Sequence, residues 1–132
     1  MATSLKTSLR TTIMNTIPTA LTTTSRLLVY TGAAPSNTSP PSGLLLATFT
    51  LASGVGTVSS GVLTFSAISS VTAGNGGTPQ YYRMIDGTTD DGTHTQVQGS
   101  AGVGSGDLSF TSIITSGGTV SITSITMTEG DP

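Results

Sequence analysis

The sequence predicts a mainly β protein: an antiparallel β-sandwich of the jelly-roll or immunoglobulin-like kind, with about seven to eight strands and one N-terminal α-helix. Apolar residues recur every four positions only near the start of the chain, which indicates a single helix. From residue 26 onward, short runs rich in β-branched and aromatic residues alternate with Gly, Pro, Ser and Asn clusters. We therefore predict a helical arm and linker over 1–25 and a β-sandwich domain over 26–132, with a barrel as the less favoured alternative.

The predicted helix covers residues 4–17. One narrow apolar stripe defines it, formed by Leu5, Leu9, Ile13 and Ile17 with Met14 beside them. Thr3 or Ser4 can act as the N-cap, and Pro18 disfavours helical geometry at the residue before it, which predicts the end of the helix there. Residues 19–25 read as a linker. The many threonines lower helix propensity, so this helix needs the surface of a sheet or of a neighbouring subunit to be stable.

Seven runs are predicted to form strands: 26–31, 44–51, 61–68, 80–86, 93–98, 107–115 and 119–128. Apolar and polar residues alternate in several of them. Leu63 and Phe65 flank Thr64, and the same alternation recurs at Leu108 and Phe110. Such a pattern is typical of an antiparallel sheet with one buried face and one face in water.

Long loops are predicted between these runs, at 32–43, 71–79 and 99–106. Tyr81 and Tyr82 are adjacent, so they are expected on opposite faces of one strand, with one of them in the core. In the last run the apolar phase shifts after residue 122. This shift predicts a bulge, or a bend that carries the strand from one sheet to another.

Charge is scarce in this chain, at 8 % of the residues, whereas 27 Thr and 19 Ser supply small hydroxyls. Four cations against six acids do not make the basic surface that a nucleic-acid-binding protein needs. No apolar run exceeds four residues, so no membrane span is expected. There is no cysteine, so disulfides and thiolate sites are excluded.

The few charges are divided by sign along the chain. Lys6, Arg10 and Arg26 are the only charged residues up to position 66, whereas all six acids and Arg83 lie beyond it. A free monomer usually carries mixed charges over its surface, so this pattern favours a subunit of an assembly. The alternative is that the hydroxyls of Ser and Thr are enough, without charges, to keep the surface of the protein solvated.

The sequence offers little for catalysis. His94 is the only histidine, and without cysteine one subunit cannot assemble a His-paired thiol nucleophile or a multi-histidine metal site. We expect His94 at the surface. Asp86, Asp90 and Asp91 share one turn that could hold Ca²⁺, but their spacing matches no defined calcium loop, and Asp and Gly are ordinary turn residues. No enzymatic activity and no cofactor are expected.

Several stretches together resemble a family of small virion proteins of tailed bacteriophages, known as capsid decoration, cement or head-associated proteins. They lie at 8–14, 28–35, 43–51, 61–65, 82–87, 98–108 and 118–128. The resemblance implies a β-rich subunit that binds the outside of an icosahedral shell, commonly as a trimer. These stretches carry structural patterns and no catalytic motif.

The expected function is therefore that of a structural virion protein that binds the outer surface of the capsid and reinforces it. Its expected partners are the major capsid protein and further copies of itself in a homotrimer, with neither nucleic acid nor membrane. A tail, neck or baseplate component is the alternative, followed by a module that binds the host surface. The candidate assembly interface comprises Leu5, Lys6, Leu9, Arg10, Ile13, Tyr82, Arg83 and Asp86.

Overall fold

A computed structural model describes residues 6–21, 25–51, 56–65, 68–87, 89–106, 108–122 and 126–128. This part of the chain is mainly β, as predicted. It contains two short helices, α1 (Thr7–Met14) and α2 (Thr16–Ala20), where the sequence predicted one helix over 4–17 and a linker from residue 19. The strands are β1 (Arg26–Tyr30), β2 (Leu45–Thr50), β3 (Gly56–Ser59), β4 (Val62–Phe65), β5 (Val71–Thr72), β6 (Tyr81–Ile85), β7 (Thr95–Val103), β8 (Leu108–Phe110), β9 (Thr119–Val120) and β10 (Thr126–Thr128).

The strands form a five-stranded sheet in the order β2-β1-β6-β7-β8, a three-stranded sheet β10-β4-β3 and a two-stranded sheet β5-β9. All pairs are antiparallel except β7 and β8, which run parallel, so the large sheet is mixed and not purely antiparallel as predicted. Parallel neighbours usually need a crossover of a dozen or more residues. Here a short turn returns the chain, and it contains Gly104 and Gly106, both with positive φ (71° and 90°).

The main core contains the inward-facing residues of all three sheets. The predicted alternation is confirmed where the structure describes it. Leu63 and Phe65 are buried beside exposed Thr64, and Leu108 and Phe110 are buried on either side of an exposed serine. The predicted change of sheet near the end of the chain is also confirmed, because β9 pairs with β5 and β10 pairs with β4.

The outer face of the large sheet differs from the prediction. Strands β1 and β6 are buried almost throughout, so the expected water-facing side is wrong for them. The apolar side chains of β1 and β6 on this side form a second buried cluster of Leu28, Tyr30, Tyr81 and Ile85. Tyr81 and Tyr82 do lie on opposite faces, but both are buried, each in a different cluster.

The helical segment does not end where Pro18 predicted. Helix α2 continues to Ala20, because Pro18 is its third residue and lies in the first turn, where a backbone N–H has no partner within the helix. Met14 and Leu21 are 3 % and 1 % exposed and belong to the main core, so the segment is docked on the domain. The candidate caps Thr3 and Ser4 lie outside the described residues. Neither described helix is long and apolar enough to cross a membrane.

Two strands were not predicted, β3 and β5, and β7 runs to Val103 through part of the loop predicted at 99–106. Gly99 explains the extension of β7. A Cβ at this position would lie 2.7 Å from the ring of Tyr82 on the neighbouring strand, so glycine lets the aromatic ring pack over the backbone. A glycine that reads as a loop residue in the sequence is therefore part of the sheet.

Candidate functional site

Helix α1 leaves an apolar and cationic face uncovered, which we call the helix face: Lys6, Leu9, Arg10 and Ile13. Leu9 is 48 % exposed and Ile13 is 37 % exposed, and they lie one turn apart on the same side of the helix. Lys6 is exposed and Arg10 is half-buried. Leu5, the remaining predicted member of this stripe, lies outside the described residues.

The other side of α1, together with the stem of Arg10 at the edge of the helix face, fixes the helix to the hairpin of β3 and β4. The backbone N–H of Gly61 donates to Thr11 Oγ1 at 2.9 Å. The stem of Arg10 lies over the same glycine, since a Cβ there would come within 3.0 Å of Arg10 Cβ. Together with buried Met14, these contacts determine which side of the helix remains exposed.

Lys6 does not stabilise the helix at whose N-terminus it lies. Lys6 is the N-cap residue, its side chain makes no capping hydrogen bond, and the first turn contains no acid. A cation at this end of a helix opposes the macrodipole, whose positive end it meets. Its charge is therefore available to a partner outside the helix.

A second polar group lies inside the subunit, around Arg83 of β6. This side chain is 0 % exposed, and each of its three nitrogens donates a hydrogen bond. Nε donates to Gln98 Oε1 at 2.8 Å, Nη1 to Asp90 Oδ1 at 2.8 Å, and Nη2 to the carbonyl oxygen of Ser36 at 3.0 Å. The guanidinium thus joins the sheet to residues 31–44 and 86–94, two loops that lie over its outer face.

Asp90 has a second partner in this cluster. The phenol of Tyr30 donates to Asp90 Oδ2 at 2.8 Å, so both oxygens of this carboxylate are bonded. Burial raises the pKa of Tyr30 well above its ordinary value, and the hydrogen bond to the Asp90 carboxylate raises it further. The phenol therefore stays protonated and remains a donor through the neutral range.

Residues 31–44, which we call the pinned loop, are held by further bonds from the sheet. Gln98 Nε2 donates to the carbonyl oxygen of Pro35 at 2.7 Å. The Tyr81 hydroxyl accepts from the Ser42 N–H at 3.1 Å and donates to the Ser42 carbonyl oxygen. Its ring stacks on that of Tyr30 with centroids 5.0 Å apart. The loop is thus anchored at several points along its length.

The structure separates the predicted interface residues into two groups. Lys6, Leu9, Arg10 and Ile13 lie together on the helix face. Tyr82 and Arg83 are 3 % and 0 % exposed in the middle of the large sheet, so they form no part of the subunit surface. Asp86 follows the same strand and is half-buried. A lone arginine within the apolar run of β6 was the sequence signal for a buried charge.

The carboxylates of the 86–92 turn face different partners. Asp91 Oδ1 accepts from the Thr93 hydroxyl at 2.7 Å and from its N–H at 2.9 Å, and it lies 3.0 Å from His94 Nδ1. These hydrogen bonds lower the pKa of Asp91 below its ordinary value. The bond from the Thr93 hydroxyl contributes most to this shift. Asp90 instead faces inward to Arg83. Among the described residues no three His, Cys, Asp or Glu side chains are grouped to hold a metal ion, and His94 is exposed as predicted.

A groove of about 460 Å³ opens between residues 109–115 and 118–122. Phe110, Ile114, Val120 and Ile122 lie beneath it with 5–8 % exposure, whereas Ile113 is 61 % exposed. This groove was not predicted from the sequence. In the sequence, the pair Ile113-Ile114 indicated an exposed apolar side chain here, because two adjacent apolar residues in an extended segment cannot both point inward.

Comparison with known proteins found no matching family model, no matching curated protein and no matching solved structure. The surfaces described above are suited to binding. The helix face offers apolar area and positive charge, whereas the lining of the groove is mainly polar, because the apolar side chains beneath it belong to the core. The Arg83 cluster, by contrast, is fully used within the subunit.

Proposed function

We propose that this chain is a structural virion protein of a tailed phage, which binds the outer surface of the capsid and reinforces it. Its partners in this proposal are the major capsid protein and further copies of itself in a homotrimer. In this proposal residues 26–132 are a β-sandwich that sits on the shell, and residues 1–25 are an arm, of which the described part, 6–21, is docked on that domain. The observation that carries the proposal is the uncovered helix face on a subunit in which only 8 % of the residues are charged.

The distribution of charge supports a subunit of an assembly. Fifty-six consecutive residues between Arg26 and Arg83 carry no formal charge, and Arg83 itself is buried. The surface built by this stretch has no charged groups to oppose contact with another protein. The resemblance of the chain to capsid decoration proteins agrees with this interpretation.

The helix face has free energy to gain from a partner. Fully burying a Leu or Ile side chain stabilises a complex by about 1.5–3 kcal/mol. Leu9 and Ile13 retain 48 % and 37 % of their exposure, so each can contribute part of that amount. A modest contact becomes effective when many copies bind one shell, because linked contacts act together. The charge of Lys6 contributes more to the choice and orientation of the partner than to the affinity of the contact.

Co-sedimentation with capsid shells tests the proposal. Shells assembled from the accompanying major capsid protein, without this chain, are incubated with purified subunit. The wild type is expected to saturate the shells at a fixed number of copies. The double variant L9S/I13S is expected to lower occupancy at least tenfold at the same concentration. L44S is the matched control, because Leu44 is 46 % exposed but belongs to the pinned loop, and it is expected to bind normally.

The outcomes separate the alternatives. If the wild type does not bind shells but binds isolated tails, the tail, neck or baseplate function replaces the one proposed. If it binds only host cells, the proposed function is replaced by that of a module that binds the host surface. If L9S/I13S saturates shells as the wild type does, the helix face is not an assembly contact.

A further inference from the structure

We infer that Asn75 is a site of spontaneous deamidation, and that loss of its side-chain amide releases the loop that covers the edge of β2. The site lies in residues 73–77, between β5 and β6. The reaction requires only the folded chain and water, so it goes beyond the capsid role proposed above and does not depend on it.

Residues 73–75 cover an edge of the large sheet. Strand β2 comes first in the order β2-β1-β6-β7-β8, so among the described residues its outer side has no strand partner within this sheet. The N–H of Gly74 donates to the Leu46 carbonyl oxygen at 3.0 Å, and Asn75 Nδ2 donates to the Leu45 carbonyl oxygen at 2.8 Å. A covering loop of this kind keeps the backbone groups of a sheet edge from pairing with another chain. The amide of Asn75 therefore supplies one of the bonds that hold the cover in place.

The residue after this asparagine makes it reactive. A succinimide forms when the backbone nitrogen of the next residue attacks the side-chain carbon of asparagine, and glycine obstructs this attack least because it has no side chain. Gly76 is exposed, and its N–H has no hydrogen-bond partner in the described part of the chain. The N–H groups of Gly74 and Gly77 on either side are both bonded. The attacking nitrogen is therefore free and accessible to water.

The fold itself requires glycine at position 76. A Cβ there would lie 3.1 Å from the Ser116 backbone nitrogen and 3.3 Å from the Ile114 carbonyl oxygen. The loop approaches this segment closely because the backbones of Gly77 and Ile114 exchange two hydrogen bonds, of 2.8 and 2.9 Å. A side chain at Gly76 would slow the reaction but would crowd this contact. The reactive Asn-Gly pair is therefore a consequence of the packing of the loop.

The atom that leaves in the reaction is the atom that bonds to β2. The Gly76 nitrogen attacks Asn75 Cγ, the bond from Cγ to Nδ2 breaks, and Nδ2 departs as ammonia with the proton of the Gly76 N–H. Water then opens the succinimide to aspartate or, with one more carbon in the backbone, to isoaspartate. Either product has a carboxylate in place of the donor, and a carboxylate and the Leu45 carbonyl are both acceptors. The contact with β2 changes from attraction to repulsion.

The other two asparagines of the chain, Asn15 and Asn37, provide an internal comparison. Both are exposed, whereas Asn75 is half-buried. Each is followed by a threonine, whose branched side chain hinders closure of the succinimide ring. Exposure alone thus favours reaction at Asn15 and Asn37, and the following residue favours reaction at Asn75.

Peptide mapping by mass spectrometry tests the site. The folded wild type is incubated at mildly alkaline pH, which favours attack by the backbone nitrogen, and samples taken over time are digested with pepsin at acidic pH, where the succinimide forms slowly. Asn75 is expected to convert to aspartate and isoaspartate while Asn15 and Asn37 stay intact. Conversion of Asn15 or Asn37 as fast as Asn75 would overturn the inference. An Asn75 that converts in urea but stays intact in the folded protein would also overturn it, because the fold would then protect the site.

The variant N75D tests the consequence for the loop, and N37D is its matched control. Both replace an amide with a carboxylate, but Asn37 is exposed in the pinned loop, away from the edge of β2. Loss of the bond to Leu45 is expected to accelerate hydrogen exchange at Gly74 and Gly77 about tenfold in N75D. Exchange at these two amides is expected to be unchanged in N37D. Wild-type exchange in N75D, or equal acceleration in the two variants, would contradict the release of the loop.

Discussion

The charges beneath the pinned loop and the charges on the helix face lie in opposite environments. Arg83 is completely buried, and its three nitrogens bond to a side-chain amide, a carboxylate and a backbone carbonyl of the same subunit. Lys6 and half-buried Arg10 accompany apolar side chains that stay exposed on α1. The difference indicates which surface is complete without a partner. The loop side is internally satisfied, whereas the helix side leaves apolar area exposed, which is the area that the proposed partner would cover.

The comparison also explains how a chain with so few charges keeps a long loop ordered. Residues 31–44 contain no charged side chain and form no regular structure. Gln98 and Tyr81 bond directly to backbone groups of the loop, so the sheet supplies partners that water would otherwise provide. Order in this loop therefore depends on the sheet beneath it as well as on bonds within the loop, such as that of Ser42 Oγ to the Ala33 carbonyl oxygen.

The largest expected effect comes from removing the carboxylate of the buried pair. D90A leaves the Arg83 guanidinium buried without its counter-charge and leaves the Tyr30 phenol without its acceptor. Breaking a buried pair in this way costs about 3–5 kcal/mol. Urea denaturation followed by circular dichroism measures the loss.

The neighbouring D91A is the control for that prediction. Asp91 is exposed and its hydrogen bonds are to Thr93 and His94 beside it. The urea midpoint of D91A is therefore expected to stay close to that of the wild type. Equal losses for D90A and D91A would contradict the role assigned to the buried cluster.

A smaller effect is expected from Y81F, which removes one hydroxyl from the anchor of the pinned loop. The part-buried N–H of Ser42 then loses its acceptor, at a cost of about 1–3 kcal/mol. Hydrogen exchange is expected to accelerate at residues 31–44 and to stay unchanged in α1. Acceleration spread equally over both regions would show that the hydroxyl acts on global stability and does not anchor the loop.

Alkaline pH is expected to lower the free energy of unfolding gradually, through Tyr30 on the same side of the sheet. The folded state holds the pKa of Tyr30 above its ordinary value of 10.0, so the phenol is protonated in both states below that pH. Above it the unfolded chain releases the proton while the folded chain retains it, and the free energy of unfolding falls. Urea midpoints between about pH 9 and pH 11 measure this slope, which is expected to be shallower in Y30F. Equal slopes in the two proteins would contradict the raised pKa.

The smallest effect on stability is expected from L9S/I13S. Both side chains are already exposed, and surface substitutions usually change the free energy of unfolding by no more than about 0.5 kcal/mol. M14A, on the buried side of the same helix, is expected to cost about 2–5 kcal/mol. Equal urea midpoints for the two variants would contradict the orientation of α1.

Sequence patterns predicted the parts of this fold that depend on neighbouring residues. The spacing of Leu9 and Ile13 predicted the helix stripe, and the alternation of Leu63, Thr64 and Phe65 predicted one buried strand face. These patterns describe which side chains share a face, and the structure confirms them. They do not say what covers that face, which is why Leu9 and Ile13 are exposed while Met14 beside them is in the core.

The buried polar cluster could not be predicted in the same way. Arg83 bonds to Ser36, which lies 47 positions earlier, and to Gln98, 15 positions later. Only the folding of residues 31–44 over the sheet brings these groups together, and it also buries the outer side of β1 and β6. An isolated arginine between apolar residues indicates a buried charge, but it does not identify the partner.

Cryo-electron microscopy of the intact virion tests the central claim most directly, that the subunit decorates the capsid through an assembly in which the helix face is covered. The account predicts density for the chain on the outer surface of the shell, in symmetric clusters, with α1 of each copy buried at a contact and the pinned loop intact. Copies confined to the tail axis, or copies on the shell with Leu9 and Ile13 still exposed to solvent, would contradict it.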